Sequence, residues 1–314
     1  MIKVGVQSSG WYNREDPDSS FAYIKSCGFD AVDFNIDHYI PVAALIKSEE
    51  APKSFFDQSV EDILEYFTVM KDAALKHGIY FSQMHAPFPI WIKGRDDIND
   101  HIMMAIEKCL AVCEYVGCPA IVVHPVICDD KNEEKEINLT LYRRLMPAAK
   151  KHKVKICLEN LFKTVNAITY EGPCSDAAEA VWYIDKLNGE AGEDIFGFCF
   201  DIGHALLTKK NVKQYLLTLG NRLTILHLHD NNSIFDWHMV PYSCLGNGNG
   251  TVCDWEGFIE ALCEIGYCGA LSFETFRIYR VIPKGLCTAT LKYICEIGRY
   301  WASRIESAKA DTEQ

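Results

Sequence analysis

The chain has 314 residues, 49% of them hydrophobic, enough to fill one large α/β barrel or two modest domains. A net charge of −12 disfavours DNA, RNA or an anionic membrane surface as partner, because phosphate arrays attract Lys and Arg clusters and the sequence carries no such run. No apolar stretch reaches the ~18 residues of a membrane span, the opening Ile2-Lys-Val-Gly-Val6 gives no expectation of a secretory signal, and 14 cysteines without a C-x-x-C pair suit buried thiols in a reducing cytoplasm better than a disulfide framework.

Taken in order, strand-like and helix-like segments alternate eight times. The first strand is read near Lys3–Gln7. Asp16–Ser20 supplies capping residues for a helix that runs to Cys27 and stops at Gly28. Ala31–Phe34 is the second strand, and Asn35–Phe56 a long connection. Over Asp57–His77 the residues Val60, Ile63, Leu64, Phe67, Met70 and Ala74 share one helical face, and Gly78 terminates it. Ile79–His85 is strand three, followed by Ala86-Pro-Phe-Pro89. A helix over Asp96–Val116 ends at Gly117. Ala120–His124 is strand four, stopped by Pro125. The acidic stretch Asp129–Glu136 opens a helix, where carboxylates are favourable, that continues to about His152. Lys155–Glu159 is strand five, Phe162–Gly172 a loop and Ser175–Leu187 a helix. The Phe-rich run from Phe196 reads as a buried strand that gives way to a loop at Asp201. A short helix Val212–Leu219, a strand Leu223–His229, a polar loop Asp230–Asp254, a helix Trp255–Ile265, a strand Ala270–Glu274 and a helix around Cys287–Ile305 complete the series. The glycines Gly246 to Gly250 read as a tight loop, not a phosphate cradle.

Eight β–α repeats with no break in composition predict an α/β fold, a (β/α)8 TIM barrel, as a single domain over residues 1–306 with a polar, frayed tail at 307–314. A doubly wound open sheet would carry a Gly-rich phosphate turn after its first strand, and Gln7-Ser-Ser-Gly10 is not one. In such a barrel, function sits at the carboxyl ends of the strands. Six strands end there in His, Asp or Glu: at His85, His124, Glu159, Asp201 with His204 beyond it, the pair His227 and His229, and Glu274. A lone His85 or His124 is more often packed than ligating. A carboxylate at a buried barrel mouth, as at Glu159 and Glu274, needs a cation or several donors, and no neighbouring strand end offers Lys or Arg. Imidazole and carboxylate without thiolate suit Zn, Mn, Fe or Co better than Ca, and permit Mg. His227 and His229 point to one face of their strand, so one is read as a ligand and the other as touching substrate.

The ordered motifs His124-Pro125, Cys157-Leu-Glu159-Asn160, Phe200-Asp201-x-x-His204, His227-x-x-Asp230, Asp236-x-His238, Leu245-Gly-x-Gly248 with Trp255, and Phe273-Glu274-Thr resemble the xylose isomerase-like barrel superfamily. That group holds sugar and sugar-phosphate isomerases and epimerases, and also endonuclease IV. The resemblance spans roughly strands three to eight. It implies one divalent metal (Zn, Mn, Mg or Co) held by Glu159, Asp201, His227 and Glu274. His227 is preferred to His229 because His227-x-x-Asp230 matches the family spacing. The two glutamates then act as acid and base in proton transfer through a metal-bound enediolate, with His204 and His229 placing hydroxyls or shuttling protons. The substrate expected is a small carbohydrate: a sugar, a sugar phosphate or a related polyol carbonyl compound. Trp11, Phe88, Trp91, Phe162, Trp237 and Phe276 are candidates to cover a sugar ring. Lys93, Arg95, Lys163, Lys209, Arg277 and Arg280 are candidate phosphate partners, although loop cations are ordinarily just solvated. The alternative is endonuclease IV-like, zinc-dependent phosphodiester hydrolysis, whose additional sites correspond to His85, His124, His204, Asp236 and His238. The acidic chain, with no basic, aromatic-rich insertion, favours the first reading. A non-catalytic carbohydrate-binding barrel is argued against by the intact glutamates. The Arg expected shortly after the strand-seven His of ketose 3-epimerases is replaced by Asn231-Asn-Ser233, which leaves the sugar open. The protein expected is cytoplasmic, with no nucleic-acid or membrane partner, and a homo-oligomer is left open.

Overall fold

Short runs rich in β-branched and aromatic residues form ten strands in the computed structural model, which describes residues 1–246 and 250–312. They are β1 (Val4–Gln7), β2 (Ala31–Asn35), β3 (Tyr80–His85), β4 (Ala120–Val122), β5 (Lys155–Glu159), β6 (Phe162–Val165), β7 (Ile168–Glu171), β8 (Phe196–Asp201), β9 (Leu223–His227) and β10 (Leu271–Phe273). Eight make one parallel sheet in the order β10-β1-β2-β3-β4-β5-β8-β9. The ring closes where Leu228 bridges Phe273: the Leu228 amide donates to Ser272 O at 2.9 Å and the Glu274 amide to Leu228 O at 3.0 Å. A helix follows each barrel strand: Pro17–Ser26, Val60–His77, Asp96–Val116, Lys131–His152, Ala177–Ala191, Val212–Leu219, Trp255–Glu264 and Lys284–Thr312. This is the expected (β/α)8 barrel. No helix among the described residues is long and apolar enough to cross a membrane, and none of the 14 cysteines is in a disulfide.

Alternation along β8 shows how the sequence sorts its faces. Phe196 packs edge-on against Tyr142, and Phe198 and Phe200 lie against Tyr215, so the three rings meet the outer helices. Cys199 and Asp201 face the barrel axis. Register then sets the rim, because Glu159 lies beside Cys199 and Asp201 beside His227.

Several local expectations are corrected. The segment Phe162–Gly172 is not a plain loop; β6 and β7 pair antiparallel around Asn166 and Ala167, whose φ values of 51° and 61° make the tight turn. Beyond Asp201 the chain enters a helix, Ile202–Leu207, instead of a loop, and Asp201 caps it by accepting from the His204 amide at 2.7 Å. The long connection after β2 contains short helical turns at Ile36–Tyr39, Val42–Leu45 and Phe55–Asp57. Strand β9 stops at His227, while His124 and Glu274 lie just past β4 and β10. The last helix runs on to Thr312, through much of the segment read as a frayed tail. Gly248, part of the Leu245-Gly-x-Gly motif, falls outside the described residues.

Candidate functional site

Glu159, Asp201 and His227 are the last residues of their strands, Glu274 follows β10, and all four are buried. His227 Nδ1 stands between the carboxylates: 3.3 Å from Glu159 Oε1, 3.6 Å from Glu274 Oε2 and 3.9 Å from Asp201 Oδ2. Donor atoms of Asp201, His227 and Glu274 all lie within 4.8 Å of one another, the span of a coordination sphere. The five further residues gather around the same point. His85 Nε2 is 2.9 Å from His124 Nε2, which is 2.8 Å from Glu159 Oε2. His204 Nδ1 is 3.3 Å from Glu159 Oε1, and His238 Nε2 is 2.9 Å from Asp236 Oδ2.

Hydrogen bonds behind the rings say which nitrogens are bare. His85 Nδ1 faces the Ala86 carbonyl at 3.0 Å and His238 Nδ1 the Glu274 carbonyl at 2.9 Å. A carbonyl only accepts, so Nδ1 carries the proton and Nε2 of the neutral ring is a lone pair. Burial, helped by the neighbouring His124, holds His85 well below the usual imidazole range, so that ring is neutral. Its lone pair points at His124, and His238 Nε2 faces the Asp236 carboxylate. Asp236 Oδ1 is buried without a hydrogen-bond partner, and Glu159 Oε2 is buried with the His124 nitrogen at 2.8 Å. Such groups are costly unless a positive charge joins them. Nitrogen and carboxylate oxygen donors, with carbonyls fixing the rings from behind, fit a divalent transition ion.

The electrostatics are strongly coupled. Burial would raise the Glu159 carboxyl, but His124 and His227 outweigh it and hold Glu159 well below the usual carboxylate range. Burial likewise opposes ionisation of Asp201, and His204 and His229 overcome it. At Glu274 burial wins, reinforced by Asp201 and Glu159, and the carboxyl is pushed up against His227 and His238. Burial would lower the His229 imidazole, yet Asp201 raises it to about 9.

His229 occupies a different place from that expected. Its Nε2 lies 3.1 Å from both Asp201 oxygens, its ring stacks on His238 at 4.0 Å, and it is fully buried, off the cavity wall. Gly203 makes the space, since a Cβ there would come within 1.9 Å of His229 Cε1. His229 therefore lies against Asp201 and off the cavity wall. His204 does face the cavity, with Nδ1 turned to the Asn160 carbonyl at 2.9 Å.

A cavity of about 710 Å³ opens above these groups. Of the expected aromatics, Phe88, Phe162 and Phe276 line it. Trp11 is instead buried, its indole N–H donating to Gln7 O at 2.6 Å; Trp91 lies beside Leu141, and Trp237 stacks on Phe235 at 5.3 Å. Of the expected cations, Arg277 and Arg280 line the cavity. Lys93 pairs with Glu133, Arg95 with Asp97 and Lys163 with Asp129, and Lys209 donates to the Ser233 carbonyl. Sequence reasoning missed two supports. Asp33 Oδ2 lies 3.2 Å from His227 Nε2, out of line for a hydrogen bond, and the Gln7 amide donates to Glu274 Oε1. Gln7 ends β1, so the positional rule that found Glu159 would have found it; Asp33 lies in the middle of β2, where that rule does not reach.

Among known proteins, y4fM of Sinorhizobium fredii is 28% identical over 167 residues, 51% of this chain and 48% of y4fM, so the match spans about half of that relative. The structure of D-psicose 3-epimerase from Clostridium cellulolyticum H10 with D-tagatose superposes with a TM-score of 0.67 at 18% identity, covering 95% of this chain and 99% of that one. The IOLI protein with a binding zinc atom gives 0.65 at 16% identity, covering 97% and 98%. At these identities the two structures share the fold. The family model for the xylose isomerase-like TIM barrel matches residues 21–295. With the closed barrel and its ordered rim, that match shows that the chain belongs to the xylose isomerase-like TIM barrel family.

Proposed function

We propose that the protein is a metal-dependent isomerase or epimerase of a small carbohydrate: a sugar, sugar phosphate or related polyol carbonyl compound. The observation that carries this reading is the pair Glu159 and Glu274, three strands apart around the ring, both on the wall of one cavity and both against His227. The epimerase named for a structural neighbour supports it. A divalent ion held by Glu159, Asp201, His227 and Glu274 would polarise a substrate carbonyl and acidify the adjacent C–H. The two glutamates are the groups placed to take that proton and return it at another carbon or face. Gln7 steadies Glu274 through its amide. His204, with Nδ1 committed to Asn160, offers Nε2 to a hydroxyl. Phe88, Phe162 and Phe276 give the cavity apolar walls that cover a sugar's C–H face and exclude water.

The test is exchange of solvent deuterium into a panel of ketoses and aldoses by Glu159→Gln and Glu274→Gln. Each substitution should slow exchange by about 10²–10⁴-fold. Undiminished exchange in both variants would remove the carboxylates from the chemistry.

One observation favours a second reading. His85 with His124, and Asp236 with His238, bring more donors to the cavity than one ion uses. That surplus suits hydrolysis of a phosphodiester. Metal content per chain separates the two. One equivalent supports isomerisation, whereas three, together with turnover of a phosphodiester, support hydrolysis.

A further inference from the structure

We propose that the cavity mouth holds an anion subsite built on Arg277 and Arg280, so that the substrate carries a phosphate or carboxylate group. The sugar part of this substrate rests on the carbohydrate reading above; the anion part does not. The chain has nine arginines. Six pair with a carboxylate within 4.0 Å: Arg95, Arg143, Arg144, Arg222, Arg299 and Arg304. A seventh, Arg14, lies over the Tyr39 ring at 4.9 Å. Arg277, which lies over the Phe276 ring at 6.0 Å, and Arg280 likewise have no such carboxylate among the described residues, and both line the main cavity. In a chain of net charge −12, where acidic neighbours are plentiful, two of the three arginines without a carboxylate partner among the described residues line this cavity.

The segment is braced to hold them. Ile278 is buried beneath it, and its amide donates to the Thr275 carbonyl at 3.1 Å. Tyr279 packs on Gly10, whose φ of +90° and missing side chain leave room for the ring; a Cβ there would lie 2.2 Å from Tyr279 Cδ2. Arg277 Nε and the Tyr279 hydroxyl are buried polar atoms without a hydrogen-bond partner, so the wall offers unspent donors. A guanidinium presents parallel N–H groups that match the oxygens of a phosphate or carboxylate. The same cavity is also lined by the carboxylates of Asp37, Glu159, Asp236 and Glu274. An anionic group is repelled by these and drawn to the arginines. This charge layout sets the direction of the substrate, anion at the arginine wall and carbonyl or hydroxyl end at the glutamates.

Calorimetric titration of inorganic phosphate into the intact protein, before and after chelation, tests the subsite apart from the sugar. Saturable binding that survives chelation, and weakens about tenfold or more in Arg277→Gln and in Arg280→Gln, is expected, with Arg304→Gln as an unaffected control. In parallel, D-fructose 6-phosphate and D-glucuronate are compared with uncharged D-fructose. A gain for the phosphate ester that both variants abolish identifies the anion as phosphate; the same gain for the uronate identifies it as carboxylate. Phosphate binding that is absent after chelation, or indifferent to both variants, overturns the subsite. Arginine-dependent phosphate binding with no affinity for any of the three sugars supports the subsite and removes the carbohydrate reading instead.

Discussion

The interior of the barrel has two layers of opposite character on the same strands. At the rim stand Glu159, Asp201 and His227. Two residues earlier, on the same faces, stand Cys157, Cys199 and Ile225, which form a small apolar cluster with Ala120 and Val122. Both layers are buried. Only the upper one carries charge. Burial pushes the Cys157 thiol up to about 12 and the Cys199 thiol well above its ordinary value, so the lower layer stays neutral. Cys199 comes within 4.8 Å of donor atoms of Glu159 and His227, yet as a neutral thiol it is part of the platform. The contrast shows what sets the rim apart. A dry floor denies water from below, so the acidic and imidazole groups answer only to one another and to whatever enters from the cavity.

Mixing the layers should have the largest effect. Val122→Asp puts an unpaired carboxylate into the floor, and a loss of about 3–5 kcal/mol is expected in denaturant unfolding. Wild-type stability in that variant would mean the floor is not dry. Next comes the reverse change, at the rim. Asp201→Asn should keep the fold but abolish the stabilisation that an ion confers. Chelation should therefore lower the melting point of the wild type, by an amount corresponding to about 2.7 kcal/mol at an ion concentration a hundred times its dissociation constant, and leave the variant nearly unmoved. Equal chelator shifts in both proteins would dissociate Asp201 from the ion. A smaller effect is expected from Gly203→Ala, which drives the His229 ring away from Asp201; metal affinity should fall about 10–100-fold, read by competition with a chelating dye. Unchanged affinity would leave His229 without an orienting role. Least of all, Ile225→Val thins the floor by one methylene group and should cost about 0.5–1.5 kcal/mol with metal content unaltered. A loss of metal in that variant would show that the two layers are not separable.

How much of this was legible depends on where a residue's partner comes from. The barrel followed from eight repeats of apolar run and amphipathic helix, each a local signal. Glu159, Asp201, His227 and Glu274 stood out because a charged group closed an otherwise apolar strand. Asp33 was hidden because it sits inside the read strand Ala31–Phe34, and its use comes only when β2 is curled opposite β9. His229 was assigned by the two-residue period of a strand that in fact stops at His227. Its true neighbour is fixed by the backbone space at Gly203. That same glycine made the helix Ile202–Leu207 look like a loop, because a packing requirement reads locally as a breaker. The β6–β7 hairpin escaped because its turn uses Asn166-Ala167, without the glycine that usually marks such turns. The final helix outran its expected end because Ala, Lys and Glu favour helix even where no apolar stripe demands it.

Anomalous X-ray diffraction from crystals of the protein grown with divalent metal tests the convergence of the rim most directly. A single strong peak about 2.0–2.3 Å from donor atoms of Glu159, Asp201, His227 and Glu274 is predicted. Metal bound elsewhere, with those four side chains engaged only with one another, would contradict it.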